Sequence, residues 1–115
     1  MSSTDATQIP GITRVDLQKH DVSAPGRVVI QNRVEITHEA QAVRHQHPGE
    51  EVIYVLEGTL EYAIDGIGTK PYSAGEALTV PAYTVHAVRN VGDGPAAELA
   101  TYFVEKDKPF LMPPD

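Results

Sequence analysis

The sequence predicts an all-β domain, built as an antiparallel sandwich or barrel. Short runs rich in Val, Ile, Tyr and Thr recur along the chain, and Gly, Pro and Asp separate them. No segment keeps apolar residues at helical spacing over the length that a helix needs. Short strands at regular intervals, with such turn residues between them, are typical of packed or closed antiparallel sheets.

The chain divides into an arm, one barrel domain and a tail. Residues 1–26 are polar and interrupted by Pro and Gly, so they are predicted to form an arm with at most one short strand near residues 12–17. The barrel domain is predicted over residues 27–106, and residues 107–115 form a Pro-rich tail. A chain of 115 residues leaves no room for a second domain.

Within the domain, β-branched and aromatic runs predict the individual strands. They cover residues 28–37, 51–58, 60–64, 77–80, 85–91 and 98–106, and a further strand is expected to begin within 41–47. Segment 51–58 has apolar residues at both odd and even positions, which predicts a strand buried on both faces. Asp65-Gly66 predicts a two-residue hairpin turn after segment 60–64.

Composition argues against several functions. Cys is absent, so disulfides, thiolate metal sites and Cys nucleophiles are excluded. The formal charge of −7, with Lys and Arg scattered along the chain, argues against nucleic-acid binding. No apolar run approaches the roughly 18 residues of a membrane span. The first residues lack the features of a signal peptide, so the expected location is the cytoplasm.

The segment from His45 to Glu51, HQHPGEE, carries most of the chemical information. In a strand, residues two apart point to the same face, so His45 and His47 are expected to project together. Pro48-Gly49 then turns the chain and lets Glu51 return beside them. Two imidazoles and a carboxylate suit Mn, Fe, Co, Ni, Cu or Zn better than Ca or Mg. Taken alone, however, a His-x-His pair is better explained as an accidental exposed pair.

The wider spacing resembles the two signatures of the cupin superfamily. The first comprises His45, His47, Glu51 and Gly58, and the second comprises Gly75, Pro81, His86 and Asn90. The match runs from residue 42 to residue 90, and the flanking strands fit the same fold over residues 27–106. The resemblance implies a double-stranded β-helix, or jelly-roll barrel, that holds one divalent transition metal ion (Mn, Fe, Ni, Co, Cu or Zn) on His45, His47, Glu51 and His86.

Three further expectations concern the surroundings of this site. The second signature usually carries Gly two residues after its Pro, where this chain has Tyr83. Either that turn is reshaped, or Tyr83 is held in a strained conformation by contacts near His86. Tyr54 and Tyr102 lie on predicted strands and are expected to line a pocket, whereas His38 is expected in a solvated loop.

The resemblance leaves the reaction open, because cupins include several kinds of enzyme and also non-catalytic proteins. Small cupins with this ligand set resemble quercetinase-type dioxygenases and the small cupins of aromatic polyketide pathways. We therefore expect a metalloenzyme of dioxygenase type that acts on a small enol- or phenol-like compound, with Glu51 as ligand and general base. The alternatives are a Lewis-acid isomerase, lyase or decarboxylase, and a module that only binds a small ligand.

A homodimer is also predicted. A barrel has one interior, so the second apolar face of segment 51–58 needs a cover outside it. The cover is another subunit's sheet or the N-terminal arm swapped across.

Overall fold

The all-β prediction is confirmed. The computed structural model describes residues 9–115, and within them every regular element is a strand. No helix among these residues is long and apolar enough to cross a membrane. The strands are β1 (Ile12–Asp21), β2 (Arg27–Ile36), β3 (Gly49–Glu57), β4 (Thr59–Ile64), β5 (Gly68–Ser73), β6 (Ala77–Val80), β7 (His86–Asn90) and β8 (Ala96–Glu105).

The strands form two antiparallel sheets. One has five strands in the order β1-β2-β8-β3-β6, and the other has three in the order β5-β4-β7. Side chains alternate between the two faces of a strand, so each sheet contributes one face to a shared interior. On β3 the buried side chains are those of Glu51, Ile53 and Val55. The core includes Leu60, Tyr62 and Ile64 of β4, so it lies between the sheets.

The first strand is longer than the sequence indicated. Instead of a short strand near residues 12–17, β1 covers ten residues and pairs with β2 from Ile12 opposite Ile36 to Asp21 opposite Val28. Its second half is polar and exposed, so it carries little apolar pattern. Backbone pairing along an edge of the sheet holds it in place, and much of the segment predicted as an arm therefore belongs to the five-stranded sheet.

The strand expected to begin within residues 41–47 does not form. His45 exchanges two backbone hydrogen bonds with His86, at 3.0 and 2.9 Å, while Gln46 exchanges two with Met112, at 3.0 and 2.9 Å. Because consecutive residues pair with different segments, no ladder develops. The same pairing fastens the Pro-rich tail beside the histidine segment.

The predicted hairpin is present, with a longer loop. Ile64 pairs with Gly68, so residues 65–67 form a three-residue connection in which the amide of Ile67 donates to the carbonyl of Ile64 at 3.0 Å. Gly66 and Gly68 have φ of 80° and 124°, the region that glycine adopts without strain. The strand after the loop, β5, is polar, and the sequence pattern did not indicate it.

Strand β3 is buried on one face only within the described chain. Its outward side chains Val52, Tyr54 and Leu56 are 40%, 47% and 41% exposed. The expectation that Tyr54 lines a pocket is therefore wrong, because the alternation of β3 points it away from the interior. Dimerisation through this face stays a prediction.

Tyr83 adopts the left-handed conformation that the missing glycine would have favoured, with φ of 54°. Two contacts hold it there. Its amide donates to the carbonyl of His47 at 3.0 Å, and its hydroxyl donates to Glu105 Oε2 at 2.5 Å. The turn thus keeps its shape, and Tyr83 is tied to the segment that carries His47.

Candidate metal centre

Four buried side chains meet between the two sheets. His86 begins β7 in the three-stranded sheet, Glu51 lies on β3 in the five-stranded sheet, and His45 and His47 lie just before β3. Each is 8% exposed or less. The imidazole centroids are 4.3 Å apart for His45 and His86, 5.0 Å for His45 and His47, and 5.2 Å for His47 and His86. The structure therefore brings together all four residues that the sequence predicted.

Gly49 makes this convergence possible. A Cβ atom at this position would lie 1.8 Å from the carbonyl oxygen of Phe103, so only glycine fits. Its absence lets the start of β3 pack directly on β8, where Gly49 pairs with Val104 and Glu51 pairs with Tyr102. Residues 45–47, which lead into β3, are thereby held in a fixed position beside the interior.

Backbone carbonyls fix the proton on each imidazole ring. His45 Nδ1 donates to the carbonyl of Val43 at 2.8 Å, His47 Nδ1 to that of Phe110 at 2.8 Å, and His86 Nδ1 to that of Thr84 at 2.9 Å. A carbonyl oxygen only accepts, so each Nδ1 carries a hydrogen. In the neutral ring, Nε2 then has a free lone pair, which is the tautomer that a metal ion requires.

The free nitrogens face one another and Glu51 rather than protein donors. His47 Nε2 is buried without a hydrogen-bond partner among residues 9–115. Glu51 Oε1 lies 3.1 Å from His86 Nε2 and 3.4 Å from His47 Nε2. Lone pairs and a carboxylate at these distances repel each other unless a proton or a metal cation lies among them. One nitrogen of each histidine lies within 4.8 Å of the others, so the set fits a single ion.

Without a metal ion, protons can bind among the same side chains, and the pKa values of these groups are shifted accordingly. Burial, and next the charge of His86, lowers the pKa of His45 to about 4. Burial would lower the pKa of His86, but its hydrogen bond with Glu51 raises it. Burial would raise the pKa of Glu51, but the adjacent imidazoles of His47 and His86 lower it well below its usual range. Glu51 is therefore a carboxylate at neutral pH.

A second set of polar groups lines the cavity beside the histidines. Arg14, Glu98, Tyr62 and Tyr102 share this lining with His45, His86 and Glu51, which confirms the prediction for Tyr102. The cavity measures about 20 Å³. One water molecule requires roughly 10–15 Å³ on the same measure, so the space is small.

Glu98 is the second buried carboxyl group of the interior. It is 3% exposed, and the hydroxyl of Tyr62 donates to its Oε1 at 2.5 Å. Burial, and next the negative charge of Glu51, raises the pKa of Glu98 to about 8. Burial and the nearby carboxylates also raise the pKa of Tyr62 well above its ordinary value. At neutral pH the pair is uncharged and retains a proton that can be donated.

Sequence reasoning missed Arg14, Glu98 and Phe110. For Glu98 a signal exists, because it shares the parity of the buried Ala100, Tyr102 and Val104 on β8. A charged residue at a core position of a strand indicates a functional group. Phe110 has no such signal, since the path of the tail depends on contacts with distant segments.

The remaining predicted residues have other roles. Asn90 donates to the carbonyls of Ile36 at 3.0 Å and Gly94 at 2.9 Å, so it fastens the loop between β7 and β8. His38 is exposed, as expected, and its Nε2 donates to the carbonyl of Gly92 at 2.6 Å. His20 is also exposed.

Two facing antiparallel sheets around a buried three-histidine cluster define a jelly-roll protein with a metal-binding interior. Comparison with models of protein families identifies the family to which the chain belongs. The model described as "Cupin domain" matches residues 32–102, and the chain belongs to this family.

Two curated relatives share part of the chain. Germin-like protein 1-1 of Oryza sativa subsp. japonica is 37% identical over 75 residues, which cover 61% of this chain and 35% of that protein. Polyketide synthase CurC of Streptomyces cyaneus is 48% identical over 50 residues, which cover 43% of this chain and 32% of that protein. The matched region thus spans about a third of each relative.

Solved structures of oxalate decarboxylase have the same fold. A variant of the Bacillus subtilis enzyme superimposes with a TM-score of 0.61 and 26% identity, over 67% of this chain and 22% of that chain. The Lactobacillus farciminis enzyme gives a TM-score of 0.61 with 21% identity, over 77% of this chain and 31% of that chain. The second likeness concerns the fold alone.

Proposed function

We propose that this cupin is a metal-dependent enzyme that binds a small oxygenated organic compound at the ion held by His45, His47, Glu51 and His86. One observation carries the proposal: the three Nε2 lone pairs are fixed toward one point by carbonyl acceptors on their Nδ1 atoms. A small cavity lined by both polar and apolar side chains adjoins that point, and we propose that it is where the substrate meets the ion. An ion that prefers six ligands, such as Mn or Fe, keeps two positions open beside four protein ligands.

The reaction that we favour is of dioxygenase type, close to that of quercetinases. The signature residues support it through their resemblance to those enzymes. The likeness to a protein named polyketide synthase CurC supports a substrate rich in carbonyl and enol oxygens, as polyketides are. A bound transition metal ion supplies Lewis acidity and, for Mn, Fe, Co, Ni or Cu, redox chemistry.

The protein groups then have separate duties. Glu51 is a carboxylate and is proposed to accept the proton of an acidic substrate hydroxyl, because an imidazole that ligates an ion cannot do so. In the metal-free protein the pKa of Glu98 is raised to about 8, and Glu98 faces the same cavity, so we propose that it returns a proton to the product. Tyr62 positions Glu98 through the 2.5 Å hydrogen bond.

A non-redox decarboxylase, lyase or isomerase is the second candidate. The protonated Glu98 favours it, because such reactions end with protonation of a carbanion or enolate and need a proton donor beside the ion. The likeness to oxalate decarboxylases at 26% identity also supports it.

Metal analysis and the oxygen requirement separate the candidates. The protein as purified is expected to contain about one transition metal ion per chain. Catechols, flavonols, 1,3-diketones and small carboxylic acids are then tested in air and under anaerobic conditions. Oxygen uptake that stops without O₂ supports the dioxygenase, and turnover indifferent to O₂ supports the second candidate. Absence of turnover with metal present would leave only a ligand-binding role.

A further inference from the structure

Ile9 forms part of the wall of the cavity beside the candidate metal centre. Its side chain lines this cavity together with those of His45, Glu51 and His86, and Ile9 is 9% exposed. The space that remains measures about 20 Å³. One water molecule requires roughly 10–15 Å³, so an organic substrate does not fit while the wall stays as it is. Some part of the wall must therefore move before a substrate can reach the ion.

Most of that wall is held by the hydrogen bonds of the two sheets. All of the lining residues except Ile9 and His45 lie on paired strands. His45 exchanges two backbone hydrogen bonds with His86, and its displacement would dismantle the metal centre. Ile9 precedes β1, and among residues 9–115 its backbone makes one hydrogen bond, in which its carbonyl accepts the amide of Ile12 at 3.0 Å. The wall therefore opens at Ile9 with the smallest loss of bonds.

Gly11 provides a fixed point for such a movement. A Cβ atom at this position would lie 2.5 Å from the amide nitrogen of Ala40, so the backbone of Gly11 packs directly on Ala40. The carbonyl of Gly11 accepts the amide of Thr37 at 2.9 Å and its hydroxyl at 3.2 Å. The φ of Gly11 is 84°, and glycine can change this angle without a side-chain clash. Rotation there would move Ile9 while β1 stays paired with β2.

We propose that Ile9 is a gate residue, which closes the cavity and moves outward to admit a ligand to the ion, so that its size limits which ligands bind. This inference rests on the proposed function and adds a determinant of substrate size to it. The lining of the cavity includes the apolar residues Ile12, Ile36 and Val88. Burial of apolar surface among them favours the closed position when no ligand is bound.

The first test compares two ligands of different size on the protein loaded with Co²⁺. Binding of azide is followed by the visible spectrum of the cobalt, and binding of the larger 4-nitrocatechol by its own absorption. The variants are Ile9→Ala, the conservative Ile9→Val and the control Ile67→Ala. Ile67 is 65% exposed in the loop between β4 and β5, so its truncation leaves the cavity unchanged.

Ile9→Ala is expected to bind 4-nitrocatechol more tightly than the parent protein does. Where the open position of a gate has a population of about 10% or less, its removal raises the observed affinity about tenfold or more. Ile9→Val should have a smaller effect, azide should respond less than 4-nitrocatechol, and Ile67→Ala should match the parent. An equal change for both ligands, or no change for 4-nitrocatechol, would overturn the inference.

The second test follows amide hydrogen exchange in the metal-free protein by NMR. The amide of Ile12 loses its acceptor when Ile9 moves, whereas the amide of Thr37 keeps the carbonyl of Gly11. We expect Ile12 to exchange faster than Thr37 through a local opening that low concentrations of urea do not affect. Ile9→Ala should accelerate the exchange of Ile12 alone, and Ile67→Ala should accelerate neither.

The two tests separate failure of the gate from failure of the proposed function. A parent protein that takes up no cobalt would contradict the proposed function, and the exchange experiment would still test the gate. Equal protection of Ile12 and Thr37 would show that Ile9 is a rigid part of the wall and would overturn the inference. If Ile9→Ala has misfolded by circular dichroism, Ile9→Val and the exchange rates of the parent protein decide.

Discussion

Each face of the five-stranded sheet departs at a few positions from the distribution of side chains found in most domains. The inner face carries Glu51 and Glu98, each 3% exposed, whereas the outer face of β3 carries Tyr54 and Leu56, 47% and 41% exposed. Folding alone favours the opposite arrangement, since buried charge and exposed apolar surface both cost free energy. The comparison shows where free energy of folding has been given up, namely at buried carboxyl groups on the inner face and at exposed apolar side chains on the outer face.

Within the inner face, Glu51 and Glu98 differ in the ionisation of their carboxyl groups. Both are fully buried, so burial raises the pKa of each. Two imidazoles beside Glu51 reverse that effect and keep it charged. At Glu98, burial and next the charge of Glu51 outweigh the hydroxyl of Tyr62 and the charge of Arg14, and they raise its pKa to about 8. Neighbouring groups, rather than residue type, therefore decide which carboxyl group ligates and which retains a proton.

The largest effect is expected from His86→Ala. Loss of a direct ligand should weaken metal binding more than the roughly 10- to 100-fold that loss of a ligand's outer partner causes. Metal content after dialysis, measured by mass spectrometry, should fall from about one ion per chain to nearly none. His38→Ala, which removes an exposed histidine, is the control and should keep its metal. Equal metal content in both variants would contradict the assignment of His86 to the metal centre.

Glu51→Gln and Glu98→Gln form a matched pair within the inner face. The first removes a ligand charge and a proton acceptor, so metal affinity and turnover should both fall. The second leaves Tyr62 an oxygen to donate to, so the metal should stay while turnover falls. Metal content and rate are measured on the same samples. If the rate of Glu51→Gln merely follows its occupancy, Glu51 is a ligand without a role as base.

Acidification should release the ion from the parent protein, because a protonated imidazole cannot ligate. His86, whose pKa is raised by Glu51 in the metal-free protein, should take up the competing proton before His45, whose pKa is about 4. Chelator competition at decreasing pH measures the release. Affinity that does not change between about pH 7 and pH 5 would argue against histidine ligands.

Glu98 should make the metal-free protein less stable as pH rises. An ordinary glutamate loses its proton near pH 4.5, so the unfolded chain is deprotonated above that pH, whereas the folded protein keeps the proton until about pH 8. The folded state binds more protons in this window, and stability therefore falls with rising pH by up to about 1.4 kcal/mol per pH unit. Urea denaturation should give Glu98→Gln a flatter profile, and Glu50→Gln, on an exposed residue, the parent's profile.

Substitutions on the outer face of β3 should have the smallest effect on the metal site. We expect the parent protein to be a homodimer at micromolar concentration in equilibrium sedimentation, with a second copy covering Val52, Tyr54 and Leu56. Tyr54→Lys should shift it toward monomer, because the new charge would be buried between the subunits, while metal content stays unchanged. A monomeric parent protein would show that no second copy covers this face.

The sequence was sufficient for the strands whose apolar pattern is strong and for the residues that a motif marks. Strands β2, β3 and β8 carry β-branched runs, and His45, His47, Glu51 and His86 follow the spacing of two signatures. Strand β5 and the second half of β1 are polar, and only pairing with their neighbours makes them strands.

The rest of the candidate site depends on long-range geometry. Arg14 reaches the cavity because β1 continues the sheet beyond β2, and Tyr62 meets Glu98 because two different sheets face each other. Neither fact follows from local pattern. The sequence likewise could not predict the orientation of Tyr54, because β3 has apolar residues at both odd and even positions.

The hydrogen bond from His47 to the carbonyl of Phe110 joins residues 63 positions apart. During synthesis on the ribosome, the His47 ring emerges long before its acceptor does, so the ring cannot be held in its final orientation until residue 110 has left the exit tunnel and packed. Contacts between such distant positions carry a larger loop-closure cost than local ones. We therefore expect tight retention of an ion to require that residues 107–115 have already docked on the domain.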